Sequence, residues 1–202
     1  FLMLLVSVPL GILAAVRQNK FTDYLVRALS FVGISMPNFW VGLMLLYVFA
    51  LKLHWLPVLS TGSGWQKMIL PAATLAIAMS AKYTRQVRTA FLEELGQEYV
   101  VGARARGIPE AAILWRHVLP NAVLPLVTML GLSLGSLLGG TAVVEIIFSY
   151  PGLGNLAVNA VGARDYPLIQ GFVLLIALIY MVINLVVDLS YGLIDPRIRK
   201  AG

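Results

Sequence analysis

Long uncharged stretches alternate with short charged ones along the chain. Residues 1–16, 28–51, 68–81, 117–144 and 166–187 contain no Asp, Glu, Lys or Arg. Crossing a bilayer takes about 20 mostly apolar residues, so these runs predict five spans. The third is short and reaches span length only if Lys67 and Lys82 snorkel to the two interfaces. Each span is expected to be a helix, because lipid offers no hydrogen-bond partner to an open backbone. Pro37, Pro125 and the glycines are expected to be tolerated inside such a bundle.

Composition agrees. Apolar residues make up 59% and charged residues 12%, with a mean hydropathy of +0.86; soluble domains average about 45–50% and about 25%. The net charge of +6 then speaks to topology and not to nucleic acid. The chain has no cysteine, which excludes disulfides and thiolate metal sites. Phe1 opens inside an apolar run without a preceding basic segment, which reads as a fragment lacking its N-terminus and not as a signal peptide.

Alternate connections carry 12 basic residues on one side and 3 on the other. The positive-inside rule puts the richer side and the C-terminus in the cytoplasm, with Phe1 facing outward. A complete chain starting inside would need one more span upstream. Trp55 and Trp65 fall in the poorer loop, with Pro57 and Gly62. They suit interfacial anchoring, with substrate contact as the lesser alternative.

The longest polar part runs from Arg85 to Arg116. "FLEELGQEYVVGARARG" reads as an amphipathic helix with Leu95, Tyr99 and Ala103 on one face. Gly107 ends it, and Pro109 suits the first turn of a second short helix, "PEAAILWRHVL". The small residues Gly102, Ala103, Ala105 and Gly107 suit a helix pressed into a partner's groove. A hairpin that only tiles the headgroups fits the same pattern.

This segment resembles the cytoplasmic loop of ABC importer permeases. The family pattern is Glu-Ala-Ala, three residues, Gly, nine residues, Ile-x-Leu-Pro. Anchored on Gly107, it places Leu119 and Pro120 correctly, Ala103 on the last alanine, Val101 and Gly102 on the first two positions, and His117 on the isoleucine. The literal "EAA" at 110–112 follows the glycine and is a decoy. The departures at 101, 102 and 117 resemble the peptide and nickel branch, whose loop phrase stands here as Ala103–Gly107, Trp115–His117, Leu119, Asn121, Ala122, Pro125 and Thr128. "GISMPNFWVGL", "WLPVLSTGSGWQKMILPA", "GGTAVVEIIFSYPGLG", "RDYPLIQG" and "NLVVDLSYGLIDPRIR" are similar to that branch in the same order, with a lean towards nickel-type permeases.

The resemblance implies an all-α integral membrane protein: a polytopic helical bundle of the type I importer permease fold. Residues 1–202 would be one permease domain, with a coupling loop at about 86–118. A second permease subunit, a paralogue, would complete the pathway. Two cytoplasmic ATPases carrying ATP and Mg would each take one loop into a groove, and an extracytoplasmic binding protein would deliver substrate. The chain would lie in a bacterial or archaeal cell membrane and would bind no cofactor itself. It has no GxxxxGK[ST] loop and is not expected to be an enzyme. Tyr99, Gly102 to Gly107, His117, Leu119 and Pro120 would form the coupling site. Within it, Arg104 and Arg106 would pair with acidic groups on the ATPase or with lipid headgroups. Peptides or a nickel chelate would be the substrate.

Glu145 ends the fourth uncharged run, where an acid is a functional candidate. Pairing with a neighbouring helix end, or reaching outer water, is favoured over a pathway role. Pro151 and Gly152 in "SYPGLGNL" carry turn chemistry and would shape the outer mouth. Arg164 and Asp165 read as solvated; Asp188, with Asn184 one turn before it, reads as packed or paired with a cytoplasmic basic residue and not as a proton-transfer group; and "DPRIR" reads as a terminal anchor. His54 and His117 fall on opposite sides and form no metal site within the chain. The alternative class is an ion-coupled secondary transporter, but that class places ionisable residues at mid-membrane and shows internal repeats, and neither is evident here.

Overall fold

The computed structural model describes residues 1–58 and 64–194, and every regular element among them is a helix. The order is α1 (Leu2–Val16), α2 (Phe21–Ser35), α3 (Asn38–Leu45, widening into a π-helical Leu46–Lys52), a 3₁₀ turn Trp65–Met68, α4 (Ile69–Leu95) and α5 (Glu98–Ala105). Then come α6 (Glu110–Ala112), which runs through π-helical Ile113–Val118 into α7 (Leu119–Gly140), and α8 (Ala142–Ile147), α9 (Leu153–Ala163) and α10 (Tyr166–Ile194). Gly62 and the terminal "DPRIR" lie outside the described residues.

The uncharged run 28–51 is not one straight helix. α2 and the α3 helix meet at 99°. Pro37 has no N–H to donate and pushes the residue before it out of the helical region; Met36 is extended at φ −84°, ψ 128°. Pro125, expected to be tolerated, does remain inside α7. The third expected span is the first part of a 27-residue helix that carries on through Lys82 to Leu95. By length and composition, two helices among the described residues are long and apolar enough to cross a membrane, Glu110–Leu138 and Tyr166–Tyr191, or three if the bent pair is one span. α1 is apolar but has 15 residues.

α4 is the central post, with α1, α2, α3 and α7 packed around it. α1 and α2 both press close to it: a Cβ on Gly11 would sit 2.6 Å from the Val87 side chain and one on Gly33 2.6 Å from the Ala81 Cβ, so only glycine admits these approaches. Two apolar clusters form. One joins Ile12 and Ala15 of α1, Tyr83, Val87 and Phe91 of α4, and the segment 100–126. It lies at the end of the bundle that carries Arg104 and Arg106, called the basic end below. The other gathers Ala50, Leu70, Val144 and Phe148 at the opposite end. α7 and α10 are tied by a hydrogen bond between the Thr128 and Tyr191 hydroxyls.

Candidate functional site

At the basic end the chain makes a sharp elbow. α4 stops at Gly96, Gln97 is extended, and α5 starts at Glu98. The single amphipathic helix expected over 91–107 is therefore two helices, because Gly96 interrupts it. α5 ends in a Schellman turn. The Ile108 N–H donates to the Ala103 carbonyl at 3.2 Å and the Gly107 N–H to the Arg104 carbonyl at 2.9 Å. The turn needs the left-handed region, and Gly107 supplies it at φ +74°. Pro109 stands just outside the next helix as its extended cap, and not in its first turn.

The elbow has an inner and an outer face. Val100, Ala103, Ile113 and Val118 are buried in the core with α1 and α4. Val101, Arg104, Ala105, Arg106 and Gly107 are exposed. A side chain at Gly102 or Gly107 would meet nothing within 4 Å. The small-residue patch is thus divided: Ala103 fastens the elbow, while Gly102, Ala105 and Gly107 leave its surface low and open. Arg104 is already paired within the chain, donating to Glu110 at 2.7 Å, and this hydrogen bond holds its guanidinium above the usual arginine range.

Tyr99, His117 and Asn121 come together behind the elbow. The Tyr99 hydroxyl donates to Glu94 at 2.7 Å and accepts from the Asn121 amide at 3.3 Å. The same amide donates to the His117 carbonyl at 2.9 Å. Burial, and then the Glu94 carboxylate, push the Tyr99 hydroxyl above its ordinary pKa, so it stays a donor. His117 acts here through its backbone. Leu119 packs against the core and Pro120 is exposed.

Glu145 sits at the opposite end. One carboxylate oxygen accepts from the Thr141 hydroxyl at 2.7 Å, and the other from the Asn155 N–H at 2.7 Å, in the first turn of α9. A carboxylate suits the open amides of a helix start. Gly152 is the residue before α9, and a Cβ there would lie 2.4 Å from the Glu145 carboxyl carbon. Pro151 is exposed beside it.

Residues 7–200 match the family model described as "Binding-protein-dependent transport system inner membrane component". The chain belongs to this family. As an inner-membrane component with several apolar helices, it is a multi-pass membrane protein. Among its relatives is the glutathione transport system permease protein GsiC of Escherichia coli K12, 46% identical over 189 residues, which are 94% of this chain and 61% of that protein. The protein of that name from Salmonella typhimurium LT2 is 45% identical over 195 residues, 96% of this chain and 63% of its own length. The chain thus spans about three-fifths of the curated relatives it matches. In fold it resembles an inward-facing structure of the MetNI methionine ABC transporter, with a TM-score of 0.75 at 19% identity over 96% of this chain and 88% of that one.

In this inner-membrane component the sequence-predicted residues fall into separate places. Tyr99, His117, Leu119 and Pro120 stand at the root of the elbow, Gly102 to Gly107 at its tip, and Glu145 and Gly152 at the far end. Asp188, expected to be packed or paired, is exposed and has no ion pair among the described residues. Asp165 accepts from the Leu168 N–H at 3.1 Å and starts α10. Sequence reasoning missed Glu94 and Val100, although Val100 lies one turn before Arg104 on the helix it anchors. It also missed α9, whose glycines and asparagines read as turn chemistry.

Proposed function

We propose that the chain is a permease subunit of an ATP-driven importer, in which a second permease, a paralogue, completes the pathway. A cytoplasmic ATPase takes the outer face of the elbow at 101–107 into a groove, and a binding protein delivers substrate on the other side. ATP and Mg belong to the ATPase. The basic end and the C-terminus are cytoplasmic, in line with the excess of Lys and Arg there. What carries this reading is the elbow's two-sidedness: an exposed, low outer face is fastened through Val100, Ala103 and Ile113 to the core that also holds α1 and α4. Force on the outer face therefore reaches the bundle. Family membership and the relatives named for glutathione support the importer class, and they favour a small peptide over a nickel chelate as substrate. Glu145 acts by starting α9 and so shapes the mouth with Pro151 and Gly152.

The test is binding-protein-stimulated ATP hydrolysis by the full-length assembly in proteoliposomes. Ala105→Trp and Gly107→Trp, each confirmed to assemble, should abolish stimulation. Ala105 is exposed and helical, so its variant isolates docking from folding. Normal stimulation in Ala105→Trp would exclude the elbow as the docking surface.

A further inference from the structure

We propose that the groove between α2 and α4 at the basic end is a binding site for an anionic phospholipid. Its phosphate would lie against Arg27 and Arg85, and an acyl chain would lie in the apolar cleft that continues from the groove. This inference does not depend on the importer reading.

Three observations carry it. First, the groove encloses about 630 Å³ and is lined by Tyr24, Arg27, Phe31, Thr84, Arg85 and Arg88, among others, with no carboxylate in its wall. Second, its arginines are not equivalent. Arg88 is neutralised by the buried Asp23, to which it donates at 2.6 and 2.8 Å. Arg27 and Arg85 are exposed and form no ion pair among the described residues. The Arg27 guanidinium lies over the Tyr24 ring, 5.5 Å from its centre, which steadies it at the groove. Third, the groove does not end at the charged residues. A cleft of about 430 Å³, lined by Leu10, Leu29, Val32, Ala73 and Ile77 among others, shares Val26, Ser30 and Thr84 with it.

Two cations free of an ion pair among the described residues, above an apolar cleft, match a molecule with an anionic head and a hydrocarbon tail. Basic pockets between helices at a membrane surface select such lipids by charge. A soluble anion would leave the apolar cleft uncovered. A second copy of the chain docked here through the same face would bring Arg27 and Arg85 towards their counterparts, and like charges repel.

The experiment takes the full-length protein, delipidated in detergent, and counts bound phosphatidylglycerol and phosphatidylethanolamine by native mass spectrometry. Phosphatidylglycerol should be retained in preference. Arg27→Gln/Arg85→Gln should lower its affinity roughly thirtyfold, about fivefold per arginine, with unchanged helical content and melting in the lipid-free state. Arg17→Gln, outside the groove, should bind like wild type. Ala73→Trp, which fills the cleft, should weaken long-chain phosphatidylglycerol more than a short-chain form. Equal retention of both lipids, unaltered affinity in the double variant, or displacement of the lipid by free glycerol phosphate would overturn the proposal. A change of oligomeric mass in Arg27→Gln/Arg85→Gln would assign the groove to a second copy instead.

Discussion

The Asp23 carboxylate and the Arg88 guanidinium face each other fork to fork, at 2.6 and 2.8 Å, across 65 residues of chain. Asp23 also accepts from the Asn19 N–H at 3.0 Å, so one fully buried acid closes the α1–α2 turn and locks α2 to α4. Removing one partner of a buried pair leaves the other uncompensated. Asp23→Asn is expected to destabilise the protein by about 3 kcal/mol, read as a lower melting temperature in detergent. Exchanging the two residues should recover part of the loss.

Tyr83 is 1% exposed and donates its hydroxyl to the Leu126 carbonyl at 2.5 Å, joining α4 to α7 just after Pro125. Tyr83→Phe should cost about 1 kcal/mol, the net worth of one hydrogen bond. Tyr83→Ala should cost about 3–5 kcal/mol, since it also leaves a cavity. Chemical unfolding of the two variants side by side separates the polar from the packing contribution.

Glu145 and Gly152 should behave as a coupled pair. Glu145→Ala removes the cap of α9 and is expected to cost about 1 kcal/mol. Gly152→Ala should be worse than a surface substitution, because its methyl group would enter the space of the Glu145 carboxyl group. In the double variant that clash disappears, so a double-mutant cycle should show recovery and not additivity.

Two substitutions at the elbow should diverge. Glu110→Gln breaks only the exposed pair with Arg104, worth under about 1 kcal/mol, and should leave melting unchanged. Ala103→Leu overfills a site that is 1% exposed and should cost about 1–3 kcal/mol. It should also disturb ATPase stimulation, because it loosens the elbow from its root.

The runs free of charge fall on α1, α3, the first part of α4, α7 and α10, but not on α5 or α9, since lipid-facing and core-facing residues are both apolar in this chain. Helix ends were harder to read. Lys82, Arg85 and Arg88 look like a loop when counted as charges, yet α4 continues through them, because Tyr83, Val87 and Phe91 keep an apolar face turned inward. Pro37 turns the chain for the opposite reason. Tolerance of proline depends on neighbours that take up the released backbone groups, and no sequence window contains them. Asp23 resembles any acid in the first turn of a helix until a distant arginine is folded against it. The turn at Gly107 is legible, because it acts locally through backbone geometry, whereas the break at Gly96 and the inward turn of Val100 are properties of the packed core.

The helix from Glu110 to Leu138 runs for 29 residues through the π-helical Ile113–Val118 and Pro125, and it starts three residues after Gly107. At about 1.5 Å per residue it is roughly 43 Å long, so a swing of about ten degrees at the elbow would carry its far end some 7–8 Å. That far end leads directly into α8 and the carboxylate that starts α9. Under the proposed coupling role, this helix would act as a lever, turning a small stroke at the elbow into a larger displacement at the end that carries Glu145. The wide π turns at Ile113–Val118 lie at the fulcrum.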